Sequence, residues 1–338
     1  MRVFLRTSDR IESLPCLWVA SALQKKADLG LLHDPLHGLV VGRFNVFPQV
    51  LISLCSDTGF GDVLKDDKAI QLGVLLFLSS LLVLAVFAST VKAITNGQPD
   101  GNNHPYVCLV VFDDALGHPA WRTTGILLSP TVVLTAGHGT DGAVAARVWV
   151  DEVVQGNPEY PFSGVTSYDG TAFTNPGFAY YTMPGLVGFI THDVGVVVLS
   201  EPVPTTRVST YGELPTACLV DTLRVNTAVD LVGYGVQQLV RGGGQPVWAG
   251  LRNRFYAPAQ LLSTQFAISD EFIICSANPA QGKGGTAFGD SGGPVLLQGT
   301  RTVLATTSFG TNNNCAGIGY YYRVDQQGII DWINSFMD

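Results

Sequence analysis

The chain has 338 residues, of which 46% are hydrophobic and 14% charged, with 38 glycines and 18 prolines. That length carries one large or two medium domains with sizeable cores, and so low a charged content excludes a disordered chain or a coiled coil. Of the net charge of −8, residues 1–93 hold nine Lys and Arg against eight Asp and Glu, and residues 94–338 hold ten against nineteen, so the C-terminal part stands at −9 and nucleic acid is a poor partner for it. Abundant glycine and proline without a collagen period suits short strands joined by tight turns and disfavours a helical bundle. No basic run or basic amphipathic helix points to an anionic membrane surface.

Residues 1–70 carry short apolar runs such as Val46 to Leu54, broken by His33-Asp34-Pro35 and Gly59-Phe60-Gly61, and neither a 3.6 nor a 2 period persists. They read as a poorly ordered extension or as lying behind an unused upstream start. Cys16, Cys55, His33 and His37 fall in no recognised ligand spacing, so no metal is expected. Residues 71–93 contain Leu72 to Ala88, seventeen residues without a charge, just after Lys65-Asp66-Asp67-Lys68. Seventeen lies at the edge of what spans a bilayer. Val91 and Ala93 sit two apart, as at a signal peptidase site, so the expected cut falls after Ala93. The alternative is an uncut anchor with the remainder outside, the one membrane contact expected; either way the C-terminal part is extracellular.

From Ile94 onward the apolar runs are short and β-branched: Thr131 to Thr135, Val194 to Leu199, Val229 to Val232, Val303 to Thr307 and Tyr320 to Val324. Over residues 94–338 this spacing predicts an all-β barrel or sandwich rather than alternating helix and strand. Ile329, Ile330, Ile333 and Phe336 then share one face of a closing helix, with Trp332 alongside.

Three strings carry chemistry. Thr135-Ala136-Gly137-His138 follows one strand, His192-Asp193-Val194-Gly195 opens another, and Gly289-Asp290-Ser291-Gly292-Gly293-Pro294 comes last. A serine hydrolase needs a hydroxyl, a neutral imidazole to take its proton and a carboxylate to orient that imidazole, and the strings supply one of each. Glycines around Ser291 allow backbone amides, those of Gly289 and Ser291, to face a developing oxyanion. The last string also satisfies the G-x-S-x-G elbow of α/β-hydrolases, but there the acid and histidine follow the serine, whereas every histidine here precedes Ser291. Subtilisin order, with the aspartate first, fails too.

Together the strings resemble the trypsin and chymotrypsin family of serine peptidases, with signatures T-A-A-H-C, D-[IV]-A-L and G-D-S-G-G-P, over roughly residues 94–338. The resemblance implies two six-stranded antiparallel β-barrels with a C-terminal α-helix, an extracellular monomeric endopeptidase without cofactor, and protein or peptide substrates. It implies His138 as general base and acid, Asp193 as its orienter and Ser291 as nucleophile, with Ser308, in Ser308-Phe309-Gly310, supporting the aspartate and pairing with substrate backbone. Ile94-Thr95-Asn96-Gly97 resembles the mature start of the family, so a freed Ile94 amine would pair with Asp290. The specificity pocket maps to Gly285 at its floor, Gly310 and Gly319 at its walls, and Thr286 as the nearest polar group, which implies Phe, Tyr or Leu before the cut bond. A weakly active or inactive binding scaffold is the rival reading. The family's usual cysteine places flanking the histidine are held by Gly139 and Thr124, and Ala287 takes another while Cys315 remains; two bridges among Cys108, Cys218, Cys275 and Cys315 allow three connectivities, and the expectation is Cys275 with Cys315, or no bridge. Lys283 in Gly282-Lys283-Gly284-Gly285 lacks the Ser or Thr of a phosphate loop. Asn312 to Asn314 read as a turn, and the chain has no N-x-[ST] glycosylation acceptor.

Overall fold

Short β-branched runs leave one face of each strand to be covered, and the chain covers them by closing two barrels. The computed structural model describes residue 94 and residues 97–337, apart from 184–185, 237, 241–246, 250, 265–270, 278–283 and 311–316. The extension, the apolar segment 72–88 and its expected cut therefore lie outside the described residues, as do Lys283, Asn312 to Asn314 and Cys315. Among the described residues no helix is long and apolar enough to cross a membrane.

In chain order the first half runs β1 (Gln98–Pro99), β2 (Val107–Asp113), β3 (Pro119–Leu127), β4 (Val132–Thr135), the single-turn helix α1 (Gly137–Thr140), β5 (Ala145–Trp149), β6 (Tyr168–Thr174), β7 (Ala179–Met183), β8 (Leu186–Thr191) and β9 (Gly195–Leu199). β2, β3, β4, β9, β6 and β5 close, in that order, into an antiparallel barrel, and β7 and β8 form a separate hairpin. The second half runs β10 (Ala228–Gly233), β11 (Gln238–Val240), β12 (Val247–Ala249), β13 (Phe255–Ser263), β14 (Phe272–Ala277), β15 (Pro294–Leu297), β16 (Val303–Gly310), β17 (Gly317–Arg323) and helix α2 (Gln327–Asn334). β13, β10, β15, β16, β17 and β14 form the second ring, which β13 closes by pairing with β14, while β1 adds to the outer edge of β13. The all-β, two-barrel expectation is met, and the strands foreseen from Thr131, Val194, Val229, Val303 and Tyr320 are β4, β9, β10, β16 and β17.

Strand β13 shows the pattern most plainly: Phe255, Ala257, Ala259 and Leu261 point inward and are buried, with more exposed residues between them. The interior of the second barrel holds Val229, Leu231, Ile273, Val295, Leu304 and also Ile94. Between the barrels one continuous cluster joins Leu109, Trp149 and Val196 to Tyr234, Phe272 and Tyr322. Each such buried side chain contributes about 1.5–3 kcal/mol. Helix α2 buries Ile329, Ile330 and Ile333, and Phe336 just beyond it packs between Trp332 and Phe173.

A buried ion pair ties the N-terminal segment to both barrels. Arg254 donates from Nε to Asp100 at 2.8 Å, from Nη1 to the carbonyls of Val107 at 2.8 Å and Val150 at 3.2 Å, and from Nη2 to Asn102 at 2.6 Å. His104 Nδ1 meets the other Asp100 oxygen at 2.6 Å. Burial works against the Asp100 carboxylate, but the His104 hydrogen bond and the Arg254 charge outweigh it and hold its pKa low. Removing one partner strands the other charge, so Asp100→Ala should lower stability by about 3–5 kcal/mol in urea unfolding. A loss below about 1 kcal/mol would mean that the segment is held by strand pairing instead.

Candidate active site

Strand β4 pairs with β9 so that Thr135 lies opposite Gly195. The chain leaving β4 and the chain entering β9 are therefore neighbours, and the turn of α1 sets His138 against Asp193. His138 Nδ1 lies 3.0 Å from Oδ1 and 2.9 Å from Oδ2 of Asp193, and the His138 amide donates to Oδ1 at 2.8 Å. Ser308 Oγ donates to Oδ2. Asp193 is fully buried, whereas the His138 side chain keeps 16% of its surface exposed. An ionised carboxylate only accepts, so Nδ1 carries the imidazole proton and Nε2 presents a lone pair. Burial opposes both charges, yet for Asp193 the His138 attraction and the hydrogen bonds from His138 and Ser308 prevail and lower its pKa. For His138, burial is likewise outweighed by the Asp193 charge and hydrogen bond, and its pKa is raised.

Two departures from the family strings are matched locally. A Cβ on Gly137 would come within 2.9 Å of the Phe178 ring and 3.0 Å of the Val194 amide, so this ring occupies the space an alanine methyl would need. A Cβ on Gly195 would meet Thr140 at 2.5 Å. His192, beside Asp193, has φ of 47° and its ring nitrogen lies 3.6 Å from a Glu271 oxygen.

Ser291 stands in a turn before β15. Gly289 has φ of 92° and Gly292 of 76°, conformations that favour glycine. The Asp290, Gly292 and Gly293 amides donate to the carbonyls of Ala287, Thr307 and Asp290 at 3.1, 2.8 and 2.8 Å. Among the described residues the amides of Gly289 and Ser291 donate to nothing. The turn abuts the β4–α1 junction: the Thr124 amide donates to the Ser291 carbonyl at 2.9 Å, and a Cβ on Gly292 would lie 2.1 Å from Thr135 Oγ1 and 2.5 Å from the Ala136 nitrogen. His138, Asp193 and Ser308 are thus hydrogen-bonded together, while Ser291 reaches the same seam through its backbone and its hydroxyl makes no hydrogen bond among the described residues.

The Asp290 carboxylate, also fully buried, accepts from the amides of Gly235 at 2.7 Å and Ala287 at 2.8 Å. Burial dominates these bonds and pushes its pKa up to about 7. Ile94 is peptide-bonded here and its side chain is buried in the second barrel; the two residues are not paired.

Around the expected specificity pocket, Gly310 and Gly319 are cross-strand partners, Gly285 is buried, and Thr286 Oγ1 lies 3.0 Å from Tyr321 Oη. A Cβ on Gly319 would meet that same hydroxyl at 2.5 Å, whereas one on Gly310 would meet nothing. Tyr321 is the polar group missed from sequence; the period-2 rule, which sets residues 319 and 321 on one face, was the signal for it. The register of β16 against β17 shifts between Thr307 and Phe309, a bulge that turns Ser308 toward Asp193. Phe309 stacks on Tyr320 with ring centroids 4.7 Å apart.

Cysteine places need one correction. Thr123, not Thr124, faces Gly139, whose Cβ would lie 2.8 Å from the Thr123 methyl; Thr124 turns to the Ser291 loop instead. Cys275 is a buried free thiol, so its pairing with Cys315 is not made, and Cys108 and Cys218 are free as well. Burial pushes the Cys108 thiol up to about 12 and the Cys275 thiol further, so neither ionises at neutral pH.

A profile described as Trypsin matches residues 94–333. No curated protein matches the chain. Among solved structures, the HL collagenase is 18% identical with a TM-score of 0.54, over 72% of this chain and 98% of its own. A double mutant of human heparin binding protein is 17% identical with a TM-score of 0.50, over 72% of this chain and 96% of its own. At these identities the two structures speak for the fold alone, and the profile covers well over half of the sequence with the three strings inside it: the chain belongs to the trypsin family.

Proposed function

We propose that residues 94–338 form a secreted serine endopeptidase that hydrolyses peptide bonds through Ser291, His138 and Asp193 and an acyl-enzyme. The observation that carries the reading is the buried Asp193 carboxylate taking His138 Nδ1 on one side and the Ser308 hydroxyl on another. His138 Nε2 is left to accept the Ser291 proton as the hydroxyl attacks the scissile carbonyl, and later returns it to the leaving amine. Water then cleaves the ester by the same route. The unengaged Gly289 and Ser291 amides supply two donors for the tetrahedral oxyanion. Substrate closes the missing Ser291–His138 hydrogen bond, since such contacts are often long before binding.

The floor and walls at Gly285, Gly310 and Gly319 bring no carboxylate, and Thr286 and Tyr321 offer only hydroxyls. A cationic side chain would be buried unpaired there. Phe, Tyr or Leu substrates should therefore be cleaved at least about tenfold faster than Arg substrates, about 1.4 kcal/mol of discrimination; faster Arg cleavage in matched peptide p-nitroanilides would refute the pocket reading. Ser308, Phe309 and Gly310 form the edge along which substrate backbone pairs. Cleavage after Ala93 frees the Ile94 amine to pair with Asp290, whose buried carboxylate accepts from two amides and feels the Arg122 charge as the smallest influence on it.

A binding scaffold is the second reading, favoured by the unbonded Ser291 hydroxyl; a protein named for heparin binding and one named collagenase both share this fold. Covalent labelling with a fluorophosphonate separates the readings, because it needs an activated hydroxyl and a formed oxyanion site. An adduct mapped to Ser291 and lost in Ser291→Ala and His138→Ala establishes the nucleophile. Folded protein without an adduct would sink the peptidase reading.

A further inference from the structure

We propose that Thr124 is a positioning residue for the oxyanion-binding turn: its buried hydroxyl pins the Gly289 carbonyl and thereby keeps the Gly289 amide facing outward beside that of Ser291. The assignment rests on the peptidase reading above and adds a residue that the three strings do not contain.

Three consecutive amides of the segment after β10 are aimed at the turn. Val236 donates to the Phe288 carbonyl at 2.7 Å and Gly235 to Asp290 Oδ1 at 2.7 Å. Tyr234 donates at 3.0 Å to Thr124 Oγ1 rather than to the turn itself. Because that hydroxyl already accepts, its own proton goes to the Gly289 carbonyl, 3.0 Å away. The Thr124 side chain, fully buried on β3, is thus a relay between the 234–236 backbone of the second barrel and the turn. It is itself anchored, because its amide donates to the Ser291 carbonyl at 2.9 Å and its carbonyl accepts from Thr135 Oγ1 at 2.8 Å.

The consequence follows from peptide geometry. In a trans peptide the carbonyl and the amide point opposite ways, so holding the Phe288 carbonyl against Val236 sends the Gly289 N–H away from it. Gly289 lies at φ of 92°, has no side chain and would otherwise rotate readily. Fixing its carbonyl through Thr124 removes that freedom at the position where one of the two oxyanion donors sits. Without the hydroxyl, two buried groups, the Tyr234 N–H and the Gly289 carbonyl, lose their partner, and the 289–290 peptide that carries this carbonyl is free to turn, which changes the backbone angles at Gly289 and leaves its amide held from the Phe288 side alone.

The test compares Thr124→Val, Thr124→Ala and Thr124→Ser in the full chain, purified from the secreted fraction. Val and Ala both delete the hydroxyl at different volumes, and Ser restores it. Expected results for Val and Ala are fluorophosphonate labelling of Ser291 at least tenfold slower and kcat on an apolar peptide p-nitroanilide reduced by a similar factor, with KM within twofold; Ser should stay within threefold of the parent on all three. Labelling of a folded Val or Ala variant at the parent rate, or a Ser variant as slow as Val, would overturn the proposal. Should neither Val nor Ala fold, the hydroxyl supports the whole seam rather than the turn, and the proposal falls. Hydrogen exchange gives a reading independent of activity: the Asp290 and Gly292 amides should exchange at least tenfold faster in Val or Ala, with strand amides unchanged. If the parent protein takes no label, the peptidase reading has failed on its own, and unchanged exchange at those two amides would be what removes the Thr124 assignment.

Discussion

Replacing Asp193 by asparagine is expected to lower kcat about 10⁴-fold while the protein still folds. Asp193 Oδ1 must accept from the His138 backbone amide, so the asparagine carbonyl takes that place and its NH₂ faces the imidazole. Facing a donor, Nδ1 becomes the acceptor and the ring proton moves to Nε2, the atom that has to receive the Ser291 proton. The same substitution removes the charge that holds the His138 pKa above its ordinary value of 6.5. In the parent, kcat/KM should rise with pH through an apparent pKa above 6.5, because only neutral imidazole acts as base. In the variant the residual rate should titrate at lower pH. A variant that keeps its rate and profile would take Asp193 out of the mechanism.

The second large effect concerns Asp290 and the start of the chain. With Ile94 still joined to Ala93, the buried carboxylate has a pKa of about 7 against 3.8 in the unfolded chain. The folded state then binds more protons than the unfolded state between these values, so stability falls as pH rises from about 4 to about 7 and levels off above. Summed over that window the loss is about 4 kcal/mol. Under the proposed activation, protein beginning at Ile94 brings an ammonium to the carboxylate, and this pH dependence should disappear or reverse. Urea unfolding of the two forms between pH 4.5 and 8 measures the difference directly. Equal slopes would mean that the amine does not reach Asp290, and one extra residue before Ile94 should then leave labelling of Ser291 unchanged instead of abolishing it.

The proposed chemistry lies close to the surface of the sequence because His138, Asp193 and Ser291 each sit beside a strand end, where turn glycines and β-branched runs are easy to read. Strand positions followed from the same alternation, as did the closing helix through Ile329, Ile330 and Ile333. What could not be read was contact between distant segments. Thr124 is separated from Gly289 by 165 residues, and nothing around either announces that a hydroxyl links them. Gly137 stands where the family string has alanine and Phe178 takes up the space, a match that spacing does not announce because a cavity and its filler are set by packing. Thr123 and Thr124 could not be told apart as the neighbour of Gly139, since which of two adjacent strand residues faces a given side depends on register.

Cys108, Cys218 and Cys275 are all free, and the place facing Gly139 is held by a threonine methyl. No cross-link among the described residues joins one barrel to the other, so their assembly contains no thiol–disulfide step. The domain should regain its structure from denaturant without a glutathione couple, at a rate set by pairing strands far apart in sequence. It should also be obtainable in folded form from a reducing cytosol, since no bridge among the described residues has to be kept oxidised there.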